Sequence, residues 1–318
     1  MGSTTVFRVA AALLFTTIVL GSVVCATDSS SACPAWPVCY ADQVAPAPQF
    51  EWLNNPAIEF VHRFIAFLSL VFTGWAGWLG RRSADVRVRV FPWVALGLAV
   101  GSAVFGMMII LFTLPLGLAL IDVGGAMIAM TLMTVASAAV TSRGDDAGPP
   151  SVRRLGLGAL VVLISMHLLG IVVAGVTSAG TGSFTRCISW PLWLVLDIDK
   201  YPALQVARIV MAAAALVLIA ATVAKAARSL ELRTPAVVLA ALTVLELALG
   251  LLIRTQGLAL TQTNGINATL AVLYTALASG IVWALGYVTG RAGSVARRSP
   301  EPTVPEAVTG SAWSTPRS

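Results

Sequence analysis

The second long apolar run of this chain begins with AIEFVHRF at residues 57–64 and continues to about residue 80. A run of about 20 apolar residues is long enough to cross the hydrocarbon core of a bilayer as a helix. Glu59 and His62 lie three residues apart, so a helix places both side chains on one face. Ionisable groups in a membrane helix usually mark a functional site. The alternative is a helix end at which Glu59 and His62 are merely wetted by the interface.

The composition places the whole chain in a membrane. Of its 318 residues, 58% are hydrophobic and only 11% are charged, and the mean hydropathy is +0.88. These values lie far outside the range of soluble domains. The net charge of +6 does not indicate a nucleic-acid partner, because the basic residues lie in short loops between apolar runs. The sequence therefore predicts an all-α polytopic membrane protein that contacts lipid and no nucleic acid.

Eight runs are long enough to span a bilayer. They lie near residues 6–26, 57–80, 90–112, 116–141, 155–176, 203–226, 234–254 and 266–290. The first run could be a signal peptide, since Arg8 precedes an apolar core. However, no small residue stands immediately before Cys25. We therefore interpret the first run as a retained membrane span.

The basic residues predict the orientation of these spans. An even number of spans puts both termini on one side of the membrane. Most of the 20 Lys and Arg residues fall on that side, namely Arg8, Arg81, Arg82, Arg87, Arg89, Arg143, Arg153, Arg154, Lys225, Arg228, Arg233, Arg291, Arg297, Arg298 and Arg317. Loops rich in Lys and Arg face the cytoplasm. We expect a multi-pass plasma-membrane protein with both termini in the cytoplasm.

The two halves of the chain repeat one pattern. Long outer loops are predicted near residues 27–56 and 177–202, and CPAWP at 33–37 is echoed by CISWP at 187–191. Likewise VHR at 61–63 is echoed by VAR at 206–208. A parallel duplication of a four-helix unit fits both observations. We predict two duplicated four-helix bundles, at residues 1–145 and 146–291, followed by a disordered cytoplasmic tail at 292–318.

Two cysteines in the first outer loop predict a disulfide. Cys33 and Cys39 are close in sequence on a face where an oxidising compartment permits a bridge. Two independent thiols are the rival interpretation. A metal site is less favoured because that loop contains no histidine. Cys25 and Cys187 have no obvious partner.

Three further ionisable residues lie within predicted spans. Asp122 is near the outer end of span four, either as a partner for Arg63 or His62 or as a wetted helix end. His167 is mid-way along span five, where a buried histidine satisfied by a neighbouring helix is the simpler interpretation. Glu246 lies deeper, in span seven, where burial favours the protonated carboxyl group. No glycine loop for phosphates, zinc ligand set or nucleophile triad is visible.

Three stretches give the chain a family resemblance. GSVVCATD at 21–28, CPAWPVC at 33–39 and EFVHR at 59–63 resemble the heme A synthase family, membrane enzymes of cytochrome oxidase assembly. The resemblance implies two four-helix halves and an oxidoreductase that converts the C8 methyl of heme O to a formyl group. It also implies heme b as a cofactor, besides heme O as the substrate.

The resemblance implies roles for particular residues. His62 would bind or orient the heme iron, and Glu59 would act as a base or stabilise positive charge that develops at the oxidised carbon. Asp122 and Arg63, whose long side chain can reach the headgroup region, would contribute to cofactor binding. The paired cysteines would brace the loop. The partners implied are heme O synthase and oxidase assembly factors, and a homo-oligomer is a further candidate.

The chain departs from the family at three heme-facing positions. Bacterial members carry four such histidines, at the outer ends of spans two, four, six and eight. Here His62 is retained, whereas Asp122 stands in span four, Ala207 in span six, and Asn264 or Asn267 in span eight. Alanine and asparagine do not bind heme iron usefully. The second half is therefore expected to lack both of its axial ligands.

Three function classes follow from these features. The first is an enzyme that oxidises a heme substrate inserted among the first four spans. The second is a non-catalytic heme-handling or oxidase-assembly membrane protein that keeps the fold and one site, which the missing histidines favour. The third is a small transporter, which has the duplication but no charge cluster at mid-membrane beyond Glu246.

Overall fold

The computed structural model describes residues 2–47, 49–112, 116–141, 149–176, 190, 202–256, 258 and 262–292. These ranges contain eight α-helices and no β-strand. The helices are α1 (Ser3–Thr27), α2 (Pro56–Gly80), α3 (Val86–Leu111), α4 (Leu116–Thr141), α5 (Pro150–Val176), α6 (Pro202–Ala226), α7 (Leu230–Thr255) and α8 (Gly265–Arg291).

All eight helices are long and apolar enough to cross a membrane. Each predicted apolar run matches one helix to within a few residues at either end. The mean hydropathy of their most apolar windows ranges from 1.5 to 2.6. The predicted fold class, an all-α polytopic membrane protein, is therefore confirmed.

Each half of the chain packs as a closed ring of four helices. In the first half α1 packs on α2, α2 on α3, α3 on α4, and α4 back on α1. In the second half the same neighbours recur, with α5 on α6, α6 on α7, α7 on α8, and α8 on α5. Equivalent helices thus have equivalent neighbours within the two rings. That the halves arose by duplication stays a prediction.

The two rings meet through three helix pairs. α1 contacts α8, α5 contacts α4, and α4 contacts α8. In the two rings α1 corresponds to α5 and α4 corresponds to α8. Exchanging corresponding helices turns the α1–α8 pair into the α5–α4 pair and leaves the α4–α8 pair as it is. The contacts therefore follow a two-fold pattern whose axis passes between α4 and α8.

Small residues allow α4 and α8 to approach closely. A β-carbon added at Gly290 would lie 2.8 Å from the carbonyl oxygen of Val135 and 2.8 Å from the β-carbon of Ala138. At Gly286 the nearest atom of Thr134 would be 3.5 Å away. Interfaces rich in small residues are the usual way in which membrane helices pack tightly.

We call the side that carries the 28–55 loop the disulfide face and the opposite side the basic face. Helix α3 begins at the basic face with Asp85, whose carboxylate accepts from the Arg87 backbone N–H at 2.9 Å. The Arg87 guanidinium also donates to the Gly290 carbonyl oxygen at 2.8 Å. Arg291 and Glu231 form an ion pair of 2.8 Å nearby. These contacts join the two rings, and α7 to α8, at the basic face.

Polar contacts hold the start of α2 against the end of α1. α1 ends at Asp28, whose φ of 59° lies in the left-handed region, where Asp is tolerated more readily than most residues. The Ser29 hydroxyl accepts from the Asn55 backbone N–H at 3.2 Å. The Asn54 backbone N–H donates to the Thr27 carbonyl at 2.9 Å, and the Asn55 side chain caps α2. The first turn of α2 is therefore fixed relative to α1.

Some predictions fall on other parts of the chain. Cys187, the predicted boundary at residue 145 and residues 293–318 of the predicted tail lie outside the described residues. Ala292, the first residue of that tail, follows α8 directly and its backbone N–H donates to the Val288 carbonyl.

Candidate functional site

A disulfide closes the loop that precedes α2. Cys33 and Cys39 are bridged, with 2.06 Å between their sulfur atoms, and both side chains are buried. This confirms the predicted bridge and excludes the rival pair of free thiols. The Ala35 backbone N–H donates to the Cys39 carbonyl at 3.2 Å across the ring. Cys25 is a free, half-buried thiol.

Arg63 binds the backbone of this loop. Its Nη1 donates to the carbonyl oxygens of Ala35 at 2.6 Å and Pro37 at 3.3 Å, and more weakly to that of Val38 at 3.4 Å. Its Nη2 donates to the Cys33 carbonyl at 3.1 Å. The guanidinium therefore gathers four carbonyls of the disulfide ring around one positive charge. Arg63 thus links the start of α2 to the disulfide loop.

Glu59 completes the coordination of the same guanidinium. Arg63 Nε donates to Glu59 Oε1 at 2.8 Å, and the two side chains are 12% and 6% exposed. The pair lies one helical turn apart on α2, a spacing that brings side chains together. Charges withdrawn from water to this degree need partners. Here the carboxylate and the loop carbonyls supply them, and the Glu59 carboxylate is held in one position.

The His62 ring lies against α1. A β-carbon built at Gly21 would lie 3.3 Å from His62 Cε1, so the absence of a side chain at Gly21 leaves room for the ring. The ring also contacts the backbone of Thr17, and the charged side chains of Glu59 and Arg63 lie near it. Its Nδ1 is buried and has no hydrogen-bond partner among the described residues. The structure thus brings Glu59, His62 and Arg63 together near the start of α2. Gly21, the first residue of the GSVVCATD stretch, also contacts this cluster, a role that its sequence motif did not indicate.

Asp122 lies beside α3. The Ser102 hydroxyl donates to the Asp122 backbone carbonyl at 2.8 Å, and the half-buried Asp122 carboxyl contacts the same hydroxyl. Within the described part of the chain, no ion pair joins Asp122 to Arg63. A role for Asp122 in cofactor binding stays a prediction, and the partner that the structure gives it is Ser102.

The second ring packs an arginine against a glycine of its first helix, as the first ring packs a histidine. Ala207, which aligns with His62, offers no ligand atom. The neighbouring Arg208 is fully buried, and a β-carbon at Gly170 on α5 would lie 2.8 Å from Arg208 Nη2. The pair Gly170 and Arg208 thus repeats between α5 and α6 the contact that Gly21 and His62 make between α1 and α2. In the sequence, the similarity of VAR at 206–208 to VHR at 61–63 was the signal that pointed to Arg208. It did not indicate that the Arg208 side chain is buried.

The asparagines at the start of α8 have structural roles. The Asn264 side chain accepts from the Asn267 backbone N–H at 2.9 Å and caps the helix. The Asn267 side chain donates to the Gln262 carbonyl at 2.9 Å. Both asparagine side chains therefore bind the backbone at the start of α8.

His167 and Glu246, the remaining ionisable residues singled out in the predicted spans, are fully buried in α5 and α7.

A heme fits the two rings unequally. The buried, unpartnered Nδ1 of His62 is an imidazole nitrogen available to a metal or a donor group. In the second ring the corresponding position is an alanine beside a buried guanidinium, which does not fit a histidine-ligated heme. In the ranges that the structure describes, no group of three or more His, Cys, Asp or Glu side chains could hold a bare metal ion. Of the two aligned positions, His62 therefore offers an imidazole nitrogen and Ala207 offers no ligand atom.

In comparisons with known proteins, no family model matches this chain and no curated protein matches it. The family resemblance therefore rests on the residues of this chain alone.

Proposed function

We propose that this protein is a heme A synthase-like membrane oxidoreductase that converts heme O to heme A for cytochrome oxidase assembly. One observation carries the proposal: a buried imidazole nitrogen without a partner lies beside a carboxylate that is itself held by an arginine and a disulfide loop. Such preorganisation, in which a third group holds the acid or base in place, is characteristic of sites that do chemistry.

The proposed roles follow from these contacts. His62 binds or orients the iron of heme O in the first ring. Heme b as a cofactor would need a ligand other than His62 while heme O is bound. Conversion of the methyl group on C8 to a formyl group takes its oxygen from water and releases four protons and four electrons, and an external electron acceptor takes the electrons. Glu59 accepts one of these protons or stabilises positive charge that develops at the methyl carbon. Arg63 and the disulfide loop hold the Glu59 carboxylate in position, so the loop supports the site without touching the substrate.

The proposed location follows from the faces of the molecule. The basic face lies in the cytoplasm and the disulfide face lies outside the plasma membrane, where an oxidising environment maintains the bridge. Heme O enters the first ring from the bilayer. Heme O synthase and oxidase assembly factors are the proposed partners that deliver the substrate and receive the product.

A non-catalytic heme-handling or oxidase-assembly protein is the second candidate. The observation in its favour is that Asp122 and Ala207 replace two family histidines. Such a protein would bind heme through His62 and release it unchanged. It would not need a carboxylate at Glu59.

Two variants distinguish these candidates. The purified protein and its variants are incubated with heme O in lipid vesicles, with oxygen and a quinone present as electron acceptors. Heme type and stoichiometry are then measured together by pyridine hemochrome spectroscopy. For the enzyme, we expect Glu59→Gln to bind heme but form no heme A, and His62→Ala to lose heme binding. Glu231→Gln, an exposed carboxylate at the basic face, is the matched control. Heme binding without heme A formation by the unmodified protein would favour the second candidate. Full activity of His62→Ala would exclude this cluster as the site.

A further inference from the structure

Among the described residues, the helices of the second ring carry four fully buried ionisable side chains, one on each helix. These are His167 on α5, Arg208 on α6, Glu246 on α7 and Tyr274 on α8, and each has an exposed fraction of 0%. At about 1.5 Å of rise per residue, three of them lie about 14 Å from the disulfide-face ends of their helices, and Arg208 about 9 Å. They therefore occupy one layer in the half of the bundle nearest that face.

The contacts between helices place Arg208 and Glu246 within the second ring. The substantial contacts of α6 are with α5 and α7, and those of α7 are with α6 and α8. The fully buried side chains of α6 and α7 therefore lie against helices of the second ring. Arg208 packs on Gly170 of α5.

Glu246 stands apart within this layer. Neither carboxyl oxygen has a hydrogen-bond partner among the described residues, and no described ion pair reaches it. The nearest hydroxyl along the same face of α7, that of Thr243, donates to the Leu239 carbonyl at 2.8 Å. An ionised carboxylate without partners inside a membrane protein is costly. A bound proton removes that charge and supplies an O–H donor.

The surroundings of Glu246 differ on its two sides. Toward the disulfide face, the buried stripe of α6 carries Arg208 and Gln205, and α8 carries the buried Asn267. Toward the basic face, the buried stripe of α7 continues with Thr243, Leu239, Ala236 and Leu232. The buried polar groups on that side are hydroxyls, and three of them, Thr222, Thr243 and Thr275, donate to carbonyls of their own helices. Helix α8 also carries the buried Ser279 and Thr289 there. The charged and amide side chains that could relay a proton therefore lie toward the disulfide face.

We propose that Glu246 is a proton-binding site inside the second ring and that it exchanges its proton with the disulfide face alone. The charged and titratable groups buried at the same level on the other helices of the ring are Arg208 on α6, Tyr274 on α8 and His167 on α5. Arg254 on α7 itself is exposed beyond Ile253. The site takes up or supplies a proton at one face without opening a route across the membrane. This proposal does not rest on the proposed heme chemistry, which uses the first ring.

Infrared spectroscopy of the protein in phosphatidylcholine vesicles tests the proposal. At neutral pH we expect a C=O stretching band of a protonated carboxylic acid at a frequency above that of an acid in water, with a downshift in D₂O. The band should be lost in Glu246→Gln and retained in Glu231→Gln. Its absence from the unmodified protein would overturn the proposal. Loss of the band when sodium chloride replaces choline chloride would assign the site to a cation instead.

The same vesicles test the sidedness. The protein is reconstituted in one orientation, and the pH is raised separately outside and inside the vesicles. We expect the band to weaken only when the pH is raised at the disulfide face. Weakening from the basic face alone, or equally from both faces, would overturn the one-sided path. Because these measurements use the unmodified protein, they do not depend on the folding of any variant.

Discussion

The His62 ring rests on α1 at Gly21, with its Cε1 3.3 Å from the place where a β-carbon would stand. In the second ring, Gly170 has the same relation to Arg208. Each ring thus uses a glycine on its first helix to admit a nitrogen-bearing side chain from its second helix. The two side chains differ in chemistry, because an imidazole can bind a metal and a guanidinium cannot.

Gly21→Ala should displace the His62 ring by a few tenths of an ångström, because the new methyl group would be too close to Cε1. We expect a shifted absorption spectrum of bound heme and weaker heme binding, with the fold retained. Gly97→Ala is the matched control, since a β-carbon at Gly97 meets nothing within 4 Å. Heme titration followed by absorbance checks the prediction, and identical spectra for the two variants would contradict it.

Arg63→Lys should destabilise the first ring although the charge is conserved. A lysine ammonium cannot present the planar set of donors that Arg63 directs to Glu59 and to the carbonyls of Cys33 and Ala35. We expect a loss of about 1–3 kcal/mol, which is the usual cost of leaving buried polar groups without partners. Arg63→Ala should cost more, about 3–5 kcal/mol, because the Glu59 charge is then unpaired. Chemical unfolding in detergent measures both changes. If the lysine variant were as stable as the unmodified protein, the planar set of donors of Arg63 would not stabilise the first ring.

Replacing both Cys33 and Cys39 by serine should remove about 2 kcal/mol of stability, the chain entropy expected for so short a loop. The loop carbonyls would then hold Arg63 less firmly, so heme A formation should fall while heme binding persists. Cys25→Ser is the control, because Cys25 is a free thiol. Parallel unfolding and hemochrome measurements check both expectations. If the double variant formed heme A at the normal rate, the disulfide loop would not contribute to the proposed activity.

Asp85 predicts a pH dependence at the basic face. Partial burial raises the pKa of the Asp85 carboxyl. Hydrogen bonds and charge from Arg87, with a smaller contribution from the charge of Arg153, lower this pKa by more than burial raises it. The pKa of Asp85 therefore lies below its ordinary value. The stabilisation is therefore complete above the unfolded pKa of about 4 and is lost as the pH falls through the folded pKa. Asp85→Asn keeps a good cap for α3 but removes the charge. Thermal unfolding at a series of pH values should show the two proteins converging at acidic pH, and a constant difference would contradict this.

The orientation predicts a pattern of reporter activity. A reporter that is active only outside the cytoplasm should give a signal when inserted near Gln43, which lies in the disulfide loop region. The same reporter fused after residue 145 should give none, since the basic loops remain in the cytoplasm. The reverse pattern would invert the proposed sidedness of the whole protein.

The fold was predictable because apolar length is a local property of the sequence. The run at 57–80 matches α2 at Pro56–Gly80, and the Cys33–Cys39 bridge followed from proximity and compartment. The contacts of Arg63 were not predictable, since four of its acceptors are backbone carbonyls and carry no side-chain signature.

Contacts between helices were also beyond the sequence. The side on which Asp122 meets Ser102 depends on the rotation of α4 against α3, which hydropathy does not determine because both helices are apolar on every face. The same applies to the layer around Glu246. Its four members lie far apart in the chain, and only the closure of the second ring brings them to one level.

The tight contact of α4 with α8 has a consequence for the history and the engineering of the protein. These helices lie on the two-fold axis and approach through Gly290 and Ala138. If the halves descend from one four-helix chain, two copies of that ancestor would have met through their last helices as a homodimer. For the same reason, residues 1–141 and 149–292 expressed as separate polypeptides should reassemble in the membrane, with α4 and α8 as the mutual recognition surface.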